Sequence, residues 1–162
     1  MRVGVTVVFI IYIIILVKLV VLKGPFFYQI VSGMSYNYQM QAAQADYGGV
    51  NLVPFRTIKA FMNLHPSTSM QVKVFNLLGN VALFIPLGFL LPFVFRKANT
   101  LGRVLMASFL ISLLFELYQL ITHTGNFDVD DLLLNSIGGA IGYACFVMVT
   151  KMVLANQNFV KR

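Results

Sequence analysis

The segment VGVTVVFIIYIIILVKLVVL, Val3 to Leu22, is apolar apart from Thr6 and Lys18. A run of about 20 apolar residues is long enough for a helix to cross the hydrocarbon core of a membrane. The sequence predicts an all-α membrane protein, a bundle of four transmembrane helices in one domain, residues 1–162. The expected spans are residues 3–22, Val72 to Phe95 (72–95), Val104 to Thr122 (104–122) and Leu132 to Leu154 (132–154).

The composition of the whole chain supports this class. Of the 162 residues, 59% are hydrophobic and 10% are charged, whereas an ordinary soluble domain has about 25% charged residues. One cysteine cannot form an internal disulfide, and the sequence contains no glycine-rich phosphate loop. These features argue against a nucleic-acid binder, a secreted disulfide scaffold and a cytosolic nucleotide enzyme. The first apolar segment lacks a small-residue cleavage site after Leu22, so we expect a retained helix and not a signal peptide.

The basic residues predict the orientation in the membrane. Arg96, Lys97 and Arg103 lie in the short turn between the second and third spans, and the carboxyl-terminal tail is also basic. An excess of Lys and Arg in short loops marks the cytoplasmic side. We therefore expect a multi-pass protein of the cell (plasma) membrane with both termini in the cytoplasm. The loop 24–71 and the turn 123–131 should then face the outside.

The long loop contains an amphipathic stretch, NLVPFRTIKAFMN, at residues 51–63. Spacing of i, i+3 and i+7 places Phe55, Ile58 and Met62 on one helix face, while Arg56 and Lys59 share another face. This pattern predicts a short helix that lies in the membrane interface on the outer side. Its basic residues would meet anionic lipid headgroups or substrate phosphates, or the segment is only a plain amphipathic loop helix.

Polar residues recur near the outer ends of the last three spans. Glu116 lies about six residues, or roughly 9 Å of helix, below the outer end of its span. An ionised carboxylate near the bilayer centre costs about 2.5 to 3.5 kcal/mol, so Glu116 needs a proton, a partner or water, and asparagine side chains are natural donors. The candidate ligand-binding residues are Asn76, Asn80, Glu116, Gln119, Asp128, Asp131, Asn135 and Arg56.

Two interpretations of this polar set stay open. The side chains can simply bond across helices and hold the bundle together, at about 0.6 kcal/mol for each bond. However, four of the five acidic residues of the chain fall between positions 116 and 131. This clustering favours a functional site for the set as a whole.

The same residues allow an enzyme as an alternative. Glu116, Asp128 and Asp131 are the candidate catalytic residues of an intramembrane enzyme that modifies a lipid or a lipid-linked wall precursor. The sequence offers no evident nucleophile, because Cys145 lies in an apolar helix and no G-x-S-x-G motif is present. His65 and His123 are isolated, so we expect no metal and no cofactor. A small lipid-transport subunit is a further alternative, which would need a homo-oligomer to enclose enough space.

Gly138 and Gly142 form a G-x-x-x-G pair on the helix face of Asn135. Such pairs allow two helices to approach closely. We expect this pair to pack inside the bundle; homodimerisation is the alternative.

Four short motifs in a fixed order resemble the VanZ-like family of bacterial membrane proteins, over about residues 3–150. The motifs are Asn51-Leu-Val-Pro-Phe-Arg-Thr-Ile58, Asn76-x-x-Gly-Asn80-x-x-x-Phe84-x-Pro86-x-Gly88, Glu116-x-x-Gln119 and Asp128-x-x-Asp131-x-x-x-Asn135-x-x-Gly138. The resemblance implies a role in resistance to teicoplanin-type lipoglycopeptides at the cell envelope.

The chain departs from the family pattern at one place. Many members have an arginine shortly before the Asp-x-x-Asp stretch, whereas this chain has His123-Thr-Gly-Asn126. An ion pair implied by the family is therefore missing, or Arg56 or Lys73 replaces the arginine.

The leading functional hypothesis combines the polar set with the amphipathic stretch. An outward-facing polar pocket suits the handling of an amphiphile at the outer leaflet, such as a lipoglycopeptide or a cell-wall precursor. The expected partners are membrane lipids and such an amphiphile, with no nucleic acid.

Overall fold

The computed structural model describes residues 2–21, 49–62 and 70–160. The elements are α1 (Arg2–Val21), β1 (Val50–Asn51), α2 (Arg56–Met62), α3 (Met70–Val94), α4 (Leu101–Thr122), β2 (Phe127–Asp128) and α5 (Val129–Val160). A single 3-10 turn, Arg96–Ala98, lies between α3 and α4.

Four helices, α1, α3, α4 and α5, are long and apolar enough to cross a membrane. The chain is therefore a multi-pass membrane protein, and the predicted four-helix all-α architecture is confirmed. The last helix begins earlier than the predicted span because Asp130 and Asp131 occupy its first turn. Negative charge is favourable there, next to the positive end of the helix dipole.

The core of the bundle lies between α1, α3 and α4. Leu16 of α1, Leu87 of α3 and Val104 of α4 are buried in one apolar cluster. The hydroxyl of Tyr12 donates a hydrogen bond of 2.6 Å to the carbonyl oxygen of Leu83 and so ties α1 to α3.

Helices α3 and α5 form the closest contact of the bundle. A Cβ atom on Gly138 would lie 2.2 Å from the carbonyl oxygen of Val81, and one on Gly142 would lie 2.0 Å from that of Ile85. Only glycine leaves room for backbones at this distance. The prediction that the G-x-x-x-G pair packs inside the bundle is confirmed.

The β1–α2 segment, residues 50–62, differs from the helix predicted over residues 51–63. Asn51 pairs in β1, and the helix begins only at Arg56. Phe55 has a φ of 64°, which is left-handed and interrupts any helix that includes it. The predicted helix face with Phe55 is therefore wrong, because this residue belongs to the turn before α2. The side chain of Met62 and all of Asn63 lie outside the described part of the chain.

Candidate functional site: a carboxylate cluster at one end of the bundle

The carboxylate cluster, which we define as Glu116, Asp128, Asp130 and Asp131, forms where α4 ends and α5 begins. Glu116 belongs to the buried stripe of α4 that also contains Ser108 and Ser112, each one helical turn apart. Its side chain is only 3% exposed. The short connection to α5 then returns the chain to the same end of the bundle, so the three aspartates lie close to Glu116 in sequence and in space.

A parallel two-residue bridge brings the β1–α2 segment to this end. Val50 pairs with Phe127, and Asn51 pairs with Asp128. The amide of Phe127 also donates to the carbonyl oxygen of Gly49 at 3.0 Å. The first family motif therefore begins beside the last one, although 77 residues separate Asn51 from Asp128.

Asp128 is the centre of the hydrogen-bond network. Its Oδ1 accepts from Asn51 Nδ2 at 3.0 Å, and its Oδ2 accepts from the hydroxyl of Thr57 at 2.5 Å. Its own backbone amide donates to Glu116 Oε2 at 2.8 Å. One residue thus joins the buried carboxylate of α4 to the β1–α2 segment.

The surroundings of Asp128 favour its protonated form. Burial raises the pKa of its carboxyl above the ordinary value of 3.8, and the negative charges of Asp131 and Asp130 raise it further. The hydrogen bonds from the Thr57 hydroxyl and from the Asp130 amide oppose this increase in pKa. Desolvation is the largest cause, as expected for a half-buried carboxylate.

Asp130 is fully buried and binds the β1–α2 segment through the backbone. Its Oδ1 accepts from the amide of Phe55 at 2.5 Å, and its Oδ2 accepts from the amide of Ile58 at 3.1 Å. These amides belong to the turn before α2 and to the first turn of α2, where backbone donors lack partners within the helix. A carboxylate of α5 therefore supplies the acceptors that α2 needs at its start.

Asp131 and Asn135 extend the network along α5. Asp131 Oδ1 accepts from the side-chain amide of Asn80 in α3. One turn further, Asn135 Nδ2 donates to Ser112 Oγ of α4 at 2.7 Å. Polar contacts of α5 thus reach both neighbouring helices.

The structure brings together most of the predicted site residues, but not all of them. Gln119 lies apart: its Nε2 donates to the carbonyl oxygen of Val20 in α1 at 3.4 Å. Arg56 is exposed at the first residue of α2. Asn76 lies in α3, and its side chain is outside the described part of the chain, as is that of Lys73.

Sequence reasoning missed three residues of this network and one donor to Glu116. The sequence does not predict Asn51, Thr57 and Asp130 as site residues, nor the backbone amide of Asp128 as a donor to Glu116. The first motif, Asn51 to Ile58, contains the only available signal.

The donors described above are neutral amides and one hydroxyl. These hydrogen bonds fix the carboxylates in place. Among the described residues, no group of three or more His, Cys, Asp and Glu side chains is arranged to hold a metal ion. The arrangement is suited to binding a polar or cationic group, or to exchanging a proton at Asp128.

Comparisons with known proteins agree with the four motifs. Protein VanZ of Enterococcus faecium is 31% identical over 90 residues, which cover 56% of this chain and 55% of that protein. The chain therefore matches about half the length of this curated relative. No solved structure matches the chain. The model of the VanZ/LLP1 family matches residues 9–150, which include the whole carboxylate cluster, all of α3 and α4, and most of α1 and α5. The chain belongs to the VanZ/LLP1 family.

Proposed function

We propose that this protein confers resistance to teicoplanin-type lipoglycopeptides at the bacterial cell envelope by handling an amphiphile at the carboxylate cluster. One observation carries the proposal: hydrogen bonds join Asp128 and Asp130 to the β1–α2 segment, Asp131 to Asn80, and Glu116 to the backbone of Asp128. Membership of the family to which Protein VanZ belongs supports the resistance role.

The members of the cluster have different tasks in this proposal. Glu116 and Asp130 are almost fully buried. Asp130 holds the backbone of the β1–α2 segment, and Glu116 supplies a buried negative charge one hydrogen bond from Asp128. Asp128 and Asp131 are half-buried, so they are the members that an incoming polar group can reach. The exposed Arg56 and Lys59 lie on the adjacent α2 and would attract phosphates or other anionic groups. The apolar part of the amphiphile would stay in the bilayer beside the helices.

This function requires the cluster to face the outside of the cell. The basic turn with Arg96, Lys97 and Arg103 lies at the opposite ends of α3 and α4, and its charge supports a cytoplasmic position. The cluster would then meet the outer leaflet, where a lipoglycopeptide or a wall precursor is found.

Loss of the cluster should abolish resistance without loss of protein. We expect Glu116→Gln, Asp131→Asn and Asn80→Ala each to return cells to the teicoplanin sensitivity of cells without the protein, at near-normal membrane abundance. Double variants should be no more sensitive than single variants, because groups that act as a unit are not additive. Ser136→Ala is the matched control, since its hydroxyl only bonds the carbonyl oxygen of Leu132 in its own helix.

A purely structural role of Glu116 predicts a different result. Replacing a buried charge by its neutral isostere relieves desolvation, so a purely structural Glu116 would tolerate Glu116→Gln. Normal resistance in that variant, with the other substitutions harmful only through lower abundance, would mean that the cluster serves helix packing alone.

A second candidate function is enzymatic modification of an envelope lipid. Asp128 lies one hydrogen bond from Glu116, and burial raises the pKa of its carboxyl, so it is the member of the cluster best suited to exchange a proton. Mass spectrometry of lipid-linked wall precursors incubated with the purified protein distinguishes the two candidates. A changed precursor mass that Asp128→Asn abolishes supports the enzyme, whereas teicoplanin binding with unchanged precursors supports amphiphile handling.

A further inference from the structure

An exposed apolar surface lies beside the carboxylate cluster, in the turn between β1 and α2. Leu52 is 68% exposed, Val53 is 55% exposed and Phe55 is 54% exposed, and Pro54 between them is exposed as well. We call these four consecutive residues the apolar tip. The proposed function makes no use of it.

The register of the segment fixes the height of the apolar tip relative to the bundle. Asn51, the residue before the tip, pairs with Asp128, and the candidate membrane span of α5 begins one residue later at Val129. At the other end of the tip, the amide of Phe55 bonds Asp130 in the first turn of α5. The tip therefore lies level with the first turn of α5, at the end of the bundle where the apolar helix long enough to span a membrane begins.

Two cations follow the tip directly. Arg56 and Lys59 are both exposed on α2. Apolar side chains next to basic ones are typical of surfaces that bind the interface of a bilayer, where chains enter the acyl region and cations meet phosphates.

We infer that the apolar tip inserts into the membrane interface beside α5 and that Arg56 and Lys59 bind the phosphate groups of anionic phospholipids there. The membrane contact of the segment is then made by the turn before α2, and Asp130 holds that turn at the required height through the amides of Phe55 and Ile58. This inference concerns lipid binding alone and does not depend on the proposed role in resistance.

The absence of tryptophan from the chain makes a direct test possible. Leu52→Trp and Phe55→Trp each create a protein with one fluorescent indole at an exposed position. The variants are reconstituted in phosphatidylcholine vesicles, with or without phosphatidylglycerol, that contain lipids brominated on the acyl chains. Leu114→Trp, at a 65% exposed position within α4, is the control inside the bilayer, and Asn99→Trp, in the exposed turn between α3 and α4, is the control outside it.

We expect bromine near the headgroups to quench both tip variants, and bromine deep in the chains to quench Leu114→Trp. Emission of the tip variants should be shifted to shorter wavelength than that of Asn99→Trp. Phosphatidylglycerol should increase the quenching, and Arg56→Gln with Lys59→Gln in the same protein should remove that increase. Emission and quenching equal to those of Asn99→Trp at both tip positions would show that the tip faces water and would overturn the inference. An unchanged response to phosphatidylglycerol would overturn the role of the two cations.

Discussion

Asp128 and Asp130 are two positions apart, yet they hold the β1–α2 segment in different ways. Asp128 accepts from the side chains of Asn51 and Thr57, whereas Asp130 accepts from the backbone amides of Phe55 and Ile58. Because the backbone contact is independent of side-chain type, Asp130 fixes where α2 begins. The contacts of Asp128, in contrast, depend on the side chains at positions 51 and 57.

The raised pKa of Asp128 predicts a defined pH dependence of stability. The folded state binds the proton more tightly than the unfolded state, so it holds more protons between pH 3.8 and the raised pKa. The free energy of unfolding should therefore decrease as pH rises through this window and stay constant above it. Asp128→Asn cannot titrate, so its stability relative to the wild type should improve over the same window. Denaturant titration in detergent at several pH values measures this difference, and a difference that is independent of pH would contradict the assignment.

At the scale of elements, the contact between α3 and α5 depends on glycines that face backbone atoms. A Cβ atom on Gly88 would lie 2.0 Å from the carbonyl oxygen of Gly139, so the two helices must separate to accept it. Gly79 in the same helix has no atom within 4 Å of such a Cβ. The two positions therefore form a matched pair.

Gly88→Ala should destabilise the bundle by about 1 to 3 kcal/mol, the usual range for overpacking. Gly79→Ala should be neutral or stabilising by up to about 1 kcal/mol, because alanine favours the helix. The free energy of unfolding of both variants in detergent checks the prediction. Equal stability of the two variants would mean that α3 and α5 are not in backbone contact at Gly88.

The helices differ in how well the sequence predicts them. The four spanning helices follow from hydropathy, because each contains enough apolar residues to cross the bilayer without help from its neighbours. The start of α2 cannot be predicted from hydropathy, because it depends on a contact with Asp130, which is 75 residues from Phe55 in sequence. The left-handed φ of Phe55 occurs together with this distant contact, and local periodicity could not indicate it. The clustering of acidic residues indicates Glu116, Asp128 and Asp131 as members of the candidate site. Asn51 and Thr57 are brought to this site by the β1–β2 bridge, which the sequence does not predict.

At the scale of the whole molecule, the orientation in the membrane decides which solution the carboxylate cluster meets. The two ends of the bundle differ in charge. Arg96, Lys97 and Arg103 lie at the end of the bundle that contains the α3–α4 turn, whereas the carboxylates lie at the end that contains the α4–α5 turn. Basic residues in short loops are retained in the cytoplasm. We therefore predict that the cluster faces the outside.

Labelling of single cysteines tests this orientation. Cys145→Ala removes the thiol of the wild type, and Lys59→Cys, His123→Cys and Asn99→Cys then place single thiols at exposed positions. In intact cells, a membrane-impermeant maleimide should label Lys59→Cys and His123→Cys, and it should label Asn99→Cys only after the cells are opened. The α3–α4 and α4–α5 turns lie on opposite sides of the membrane, because α4 crosses it between them. A thiol at position 99 and a thiol at position 123 therefore cannot both be labelled from the same side. Labelling of Asn99→Cys alone in intact cells would invert the orientation and place the carboxylate cluster in the cytoplasm. The proposed encounter with a lipoglycopeptide at the outer leaflet would then be impossible, whereas insertion of the apolar tip into the adjacent leaflet would be unaffected.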